Sequence, residues 1–162
     1  MTLIPNLMPI CASLLSLRLP ATCIVCRNPA ALRCLYCPRC RKFGRLAADD
    51  QSLLAIREAL IRAWNAQQNG FICHYTGIKL EELDFQSPWY LTFDHRIPDK
   101  SGDLVVAALW VNRMKTYLTE EEFRAVVREL ANHIRSGSRF NKAVVDAARY
   151  RISAMRTAPR YF

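Results

Sequence analysis

Apolar residues recur at helical spacing after residue 50, with Leu53, Leu54, Ile56, Leu60, Ile61 and Trp64 along one stripe. The pattern predicts a helix over 50–68, capped by Asp49 or Asp50 and stopped by Asn69-Gly70. The period then shortens. Phe71 to Gly77 predicts a strand ending in a turn, Ile78 to Leu83 continues beyond it, and Ser87-Pro88 marks a loop. Trp89 to Phe93 is a short β run that delivers Asp94 and His95 at its end. Pro98 to Gly102 is a turn or loop, and Leu104 to Trp110 fits either a buried strand or the start of a helix. Val111 to Tyr117 predicts a helix, because Asn112-x-x-Lys115 then puts both polar groups on one face. Thr119-Glu-Glu-Glu122 has the form of a capping box. The helix behind it should run to about Ile134 and bury Phe123, Val126, Val127 and Leu130. Ser136-Gly137-Ser138 breaks it, and Asn141 caps a last helix over about 142–156. Val144, Val145, Ala148 and Ile152 would face inward there, with Arg149, Arg151 and Arg156 on the other side.

The stretch before residue 49 has a different texture. Residues 1–20 are apolar, interrupted by Pro5, Pro9 and Pro20, and suit a docking arm or extended lead-in. Residues 21–45 are basic, rich in cysteine and short of any helical period, as in a small metal module. Two parts are therefore expected: 1–48, lead-in plus metal module, and 49–162, a folded core with flanking helices. The 162 residues, 51% apolar, suffice for a real core. No uncharged apolar run approaches the roughly 18 residues of a membrane span, so no membrane association is expected. Met1 to Leu19 lacks a basic start and ends at Arg18 and Pro20, unlike a secretory leader.

Charge sharpens this division. Residues 1–48 carry seven Arg/Lys and no acid, 49–132 nine bases against thirteen acids, and 133–162 seven bases against one acid. The segment charges of +7, −4 and +6 add to the net +9. Two basic ends suit a polyanion, most simply nucleic acid, although solvated helix faces give the same count.

Five of the seven cysteines, Cys23, Cys26, Cys34, Cys37 and Cys40, lie within eighteen residues, with Cys11 and Cys73 outside. An odd count without a clear leader argues for a reducing, cytoplasmic setting rather than a disulfide framework. Cys23-x2-Cys26 and Cys37-x2-Cys40, ten residues apart, have the spacing of a closed, structural Zn2+ site. Cys34-x2-Cys37 competes as the second pair, so Cys34 is an alternative ligand. The nearby Arg27, Arg33, Arg39, Arg41, Lys42 and Arg45 either contact phosphates or serve only solubility.

The remaining chemistry centres on Asp94-His95. A carboxylate can bind a hard metal, and an imidazole can take a proton from water near neutral pH. Asn112 offers a second oxygen ligand, and Lys115 a charge for a phosphate. Phosphodiester hydrolysis needs these parts: a base for the water, and positive charge for the non-bridging and leaving oxygens.

Cys73-His-Tyr-Thr-Gly77, Phe93-Asp94-His95-Arg-Ile-Pro98, Leu104-Val105-Val106, Asn112-Arg-Met-Lys115 and Leu118-Thr-Glu-Glu-Glu-Phe123 resemble the HNH endonuclease family over about a third of the chain. The resemblance implies an α+β fold, a small ββα-metal core surrounded by helices, with the zinc knuckle ahead of it. It also implies that His95 is the general base and that Asp94 and Asn112 hold one Mg2+ or Mn2+. Cleavage would leave a 5′-phosphate and a 3′-hydroxyl. The partner would be DNA, with RNA open on charge alone. Arg96, Arg113, Lys115, Arg149 and Arg156 are the candidate phosphate contacts.

Two departures from the family's pattern stand out. The loop-orienting position, often Asn, is matched by Asp103, which can accept backbone bonds but cannot donate an amide. Many members also hold a zinc between two Cys-x2-Cys pairs around the core. Here Cys73 remains, with Thr76, Ala108 and Val111 at the other positions, so that zinc is not expected. His74 reads as structural or a minor metal contact, and His133 as a partner of a helix dipole. A non-catalytic, zinc-containing adaptor on the same scaffold is the second functional expectation.

Overall fold

The computed structural model describes residues 22–30, 34–98, 100 and 102–148. The fold is mixed α+β, with two small two-stranded antiparallel sheets and several helices among the described residues. It divides into two compact units, Met1–Phe71 and Ile72–Phe162. The expected boundary lay at residue 48, but the first long helix belongs with the cysteines.

In the first unit, a turn at Cys23–Cys26 is closed by Cys23 N–H to Asn28 O at 2.7 Å and Arg27 N–H to Cys23 O at 3.0 Å. Helix α1, Pro38–Gly44, starts directly after Cys37, with proline at its first position where a missing N–H costs nothing. Helix α2, Asp50–Ala63, carries the capping box of Asp49 and Ser52. Gly44 lets the two helices close up: a Cβ there would lie 3.3 Å from Leu53 Cδ1. Phe43, Ile56, Ala59, Leu60 and Phe71 form the apolar core.

The sequence pattern predicted α2 to run to residue 68; it stops at Ala63. Trp64–Asn65 (β1) instead pairs with Gly70–Phe71 (β2). The Asn-Gly signal belongs to this hairpin: Asn69 has φ 45°, and Asn65 Oδ1 accepts from Gln68 N–H at 2.9 Å. Edge-to-face packing of Trp64 on Phe71, with ring centroids 5.2 Å apart, favours the strand over another helical turn. The Arg39 guanidinium lies 4.9 Å from the Trp64 ring and hydrogen-bonds Asn69, so it fastens the hairpin to α1.

The second unit opens with a tight turn, in which Gly77 (φ 71°) returns its N–H to Cys73 O at 2.9 Å. Strands β3 (Leu91–His95) and β4 (Leu104–Ala108) pair antiparallel, with Asp94 opposite Val105 and His95 opposite Leu104. β4 is buried throughout, which settles the open strand-or-helix choice for Leu104–Trp110: strand to Ala108, then helix α3, Leu109–Lys115. On the same unit, His74 N–H reaches Val106 O at 2.9 Å.

Helix α4, Glu120–Ser136, has the expected capping box at Thr119 and Glu122 and a left-handed stop at Gly137. Its burial differs from the pattern. Phe123 is buried, but Val127 and Leu130 are 41% and 46% exposed. Helix α5 spans Ala143–Ala147, with Asn141 Oδ1 accepting from Ala143 N–H at 3.1 Å. Arg149, Arg151, Ile152 and Arg156 lie outside the described residues. No helix of the described residues is long and apolar enough to cross a membrane.

Candidate functional site

The sulfur atoms of Cys23, Cys26, Cys37 and Cys40 all lie within 4.8 Å of one another, and Cys26 Sγ is 3.5 Å from Cys37 Sγ. Tetrahedral zinc–thiolate bonds would put sulfurs about 3.8 Å apart. These four buried cysteines could therefore hold a metal such as zinc. Cys34 is also buried but stands outside the group, so the geometry selects Cys37-x2-Cys40 over Cys34-x2-Cys37. Burial opposes ionisation of Cys23, yet backbone N–H groups of Cys26, Cys37 and Val25 bring its thiol down to about 7. Burial, reinforced by the neighbouring cysteines, pushes Cys40 well above the usual thiol range. Four such groups repel one another's charge unless a cation joins them.

The other cluster sits where β3 ends. Asp94 is 4% exposed; its Oδ1 is 3.2 Å from Lys115 Nζ and its Oδ2 accepts from Tyr75 Oη at 2.5 Å. Lys115, fully buried, also donates to His95 O at 2.6 Å. Burial, then the bond to Asp94, pushes the Tyr75 phenol far above its ordinary range, so it remains a donor. Asn112 Nδ2 donates to Phe93 O at 3.0 Å and Thr92 Oγ1 at 3.2 Å, stitching α3 to β3.

His95 is exposed, with Nδ1 3.2 Å from Lys100 O. A carbonyl can only accept, so this bond requires Nδ1–H, and in the neutral ring the lone pair then lies on Nε2, the form a base needs.

Asp103 grips the loop through its main chain: its carbonyl accepts Arg96 N–H at 3.1 Å, and its carboxylate lies 3.7 Å from the Arg96 guanidinium. Arg96 also donates to Glu120 Oε2 at 2.6 Å, so it is committed within the fold rather than held out for phosphate. Lys115, with no exposed surface, holds Asp94 and does not face a phosphate as expected. Arg113 is exposed.

Three contributors were not assigned to this site from sequence: Tyr75, within the Cys73–Gly77 segment, His74, which read as structural or a minor metal contact, and Glu120, one acid of a capping box. Glu120 accepts from His74 Nε2 at 3.0 Å, Arg96 Nε at 2.6 Å and Arg124 Nε at 2.8 Å. Burial alone would raise its carboxyl, but these three donors outweigh it and hold the group at about 2. The run of three glutamates carried no signal to separate Glu120 from Glu121.

No protein-family model matches the chain, and no curated protein or solved structure matches it either.

Proposed function

We propose that the chain is an HNH-type, metal-dependent endonuclease that hydrolyses DNA phosphodiester bonds, with a zinc held by Cys23, Cys26, Cys37 and Cys40 for folding alone. The observation that carries this reading is His95: exposed at a strand end, its Nδ1 turned to Lys100 O, beside a buried carboxylate and a helix bearing Asn112. Asp94 and Asn112 are hard oxygen donors, and Asn112 Oδ1 makes no hydrogen bond among the described residues. They would hold one Mg2+ or Mn2+, which when bound supplies positive charge for the phosphate and the leaving oxygen.

His95 Nε2 takes the proton of a water as its oxygen bonds to phosphorus. The P–O3′ bond breaks, the 3′ oxygen gains a proton from solvent, and a 5′-phosphate remains. Tyr75 and Lys115 hold Asp94 in one orientation, and Lys115 fixes the backbone carbonyl of His95. Arg113 and the basic 133–162 segment supply phosphate attraction that weakens steeply with salt.

One observation favours a second reading. Lys115 already neutralises Asp94, as in a scaffold that has exchanged its metal for an internal cation and serves as a nucleic-acid-binding adaptor. Nicking of supercoiled plasmid with Mg2+ or Mn2+, against His95→Ala and matched RNA, separates them. The endonuclease reading expects metal-dependent nicking that His95→Ala abolishes. Binding without cleavage across both metals and polymers supports the adaptor, and cleavage of RNA alone changes the substrate.

A further inference from the structure

Surface ion pairs usually contribute little. The one between Arg96 and Glu120 is built differently, and it lies next to the residue read as the base. The peptide that follows His95 is held from several directions. His95 O accepts from Lys115 Nζ at 2.6 Å, Arg96 N–H donates to Asp103 O at 3.1 Å, and Arg96 O accepts from Glu120 N–H at 2.7 Å. Glu120 also takes the Arg96 side chain at 2.6 Å, so a single residue at the start of α4 grips both the main chain and the side chain of Arg96.

The other carboxylate oxygen is not idle. Glu120 Oε1 accepts His74 Nε2 at 3.0 Å and Arg124 Nε at 2.8 Å, and the side chain is only 13% exposed. Glu120 therefore ties together the Cys73–Gly77 turn, the loop after β3 and the first turn of α4. Arg96 in turn reaches Asp103 across the loop that carries Lys100, whose carbonyl orients the His95 ring.

We infer that Glu120 is a positioning residue for His95, acting through Arg96. The inference rests on His95 being the base, but its first effect falls on the imidazole itself, before any reaction. With the carboxylate removed, the Arg96 side chain keeps only the long 3.7 Å contact to Asp103, and the bond from Glu120 N–H to Arg96 O is left to tie this loop to α4. The Nδ1 contact to Lys100 O then no longer dictates the tautomer.

The test uses the full zinc-loaded chain with 15N-labelled imidazoles, His95 being assigned with His95→Ala. Wild type should show His95 as the Nδ1–H tautomer, and Glu120→Ala should move it towards Nε2–H, which free imidazole side chains favour. Arg96→Ala should do the same, and the double variant should be no worse than either, as expected for residues acting as a unit. In nicking assays kcat should fall about 10–100-fold with KM within about twofold, the size expected of a misplaced group.

Glu121→Ala, an acid of the same helical turn, should leave both readouts at wild-type values. An unchanged tautomer in Glu120→Ala, or an equal change in Glu121→Ala, overturns the inference. If wild type does not nick, the endonuclease reading fails while the tautomer still decides the role of Glu120. If Glu120→Ala does not fold, Arg96→Ala, which keeps every backbone contact, decides it.

Discussion

The four-cysteine cluster and the Asp94 cluster are both buried, but they balance charge in opposite ways. Around Cys23, Cys26, Cys37 and Cys40 the four sulfurs form a group in which burial and the neighbouring cysteines oppose ionisation of Cys40. Asp94 brings its own cation: Lys115 Nζ at 3.2 Å, with the Tyr75 hydroxyl on the other oxygen. The first cluster could be joined by a metal such as zinc, whereas the second already carries its own counter-charge. Burial of polar groups alone therefore does not tell a set of potential metal ligands from a pair that is already neutralised. The presence of an internal counter-charge does.

The largest expected effect breaks the first half of this contrast. Stripping the metal with a strong chelator, or substituting Cys40→Ser, should unfold the Met1–Phe71 unit, since structural zinc contributes on the order of 10 kcal/mol. Hydrogen exchange should show α1 and α2 losing protection while β3 and β4 keep theirs. Zinc content should drop to none, and retention of one zinc in the Cys40→Ser protein would refute the assignment.

The next tests the internal cation. Lys115→Met leaves Asp94 buried and unpaired, and should cost about 3–5 kcal/mol in chemical denaturation. Adding Asp94→Asn should recover part of that loss. Equal, additive losses would mean that the pair does not interact as the 3.2 Å contact requires.

A smaller effect comes from pH. The Glu120 carboxyl, held at about 2 against an ordinary value of 4.5, favours the folded form whenever it is ionised. That stability is present above about pH 4.5 and is lost as pH falls towards 2, by about 1–3 kcal/mol after allowing for partial exposure. Glu120→Gln should flatten the dependence in an acid denaturation series; an unchanged slope would assign it to other carboxyls. The smallest effect is local: Thr119→Ala removes the acceptor for Glu122 N–H at 3.2 Å and should cost about 1 kcal/mol.

Local chemistry was legible in the sequence where one residue type does one thing. The Thr119–Glu122 and Asp49 caps, the Cys-x2-Cys pairs and the strand ending at Asp94-His95 belong to this kind. Signals with two structural meanings were not. Asn69-Gly70 stops a helix or turns a hairpin, and only the packing of Trp64 on Phe71 selects the hairpin. Lysine is almost always exposed, so nothing local marked Lys115 as the buried partner of Asp94, 21 positions earlier. The stripe of Val127 and Leu130 has the helical period of a buried face, yet both side chains stay 41% and 46% exposed. Glu120 gathers donors from residues 46 and 24 positions earlier, a convergence that exists only once the chain is folded.

Chemical rescue tests the proposed role of His95 most directly. Nicking of supercoiled DNA by His95→Gly is followed as free imidazole is added to the zinc-loaded, metal-supplied protein. If His95 Nε2 takes the proton from water, the variant should lose about 100-fold or more and recover in proportion to imidazole. A His95→Gly protein that nicks at the wild-type rate without imidazole would contradict it, as would a folded wild type that cleaves nothing.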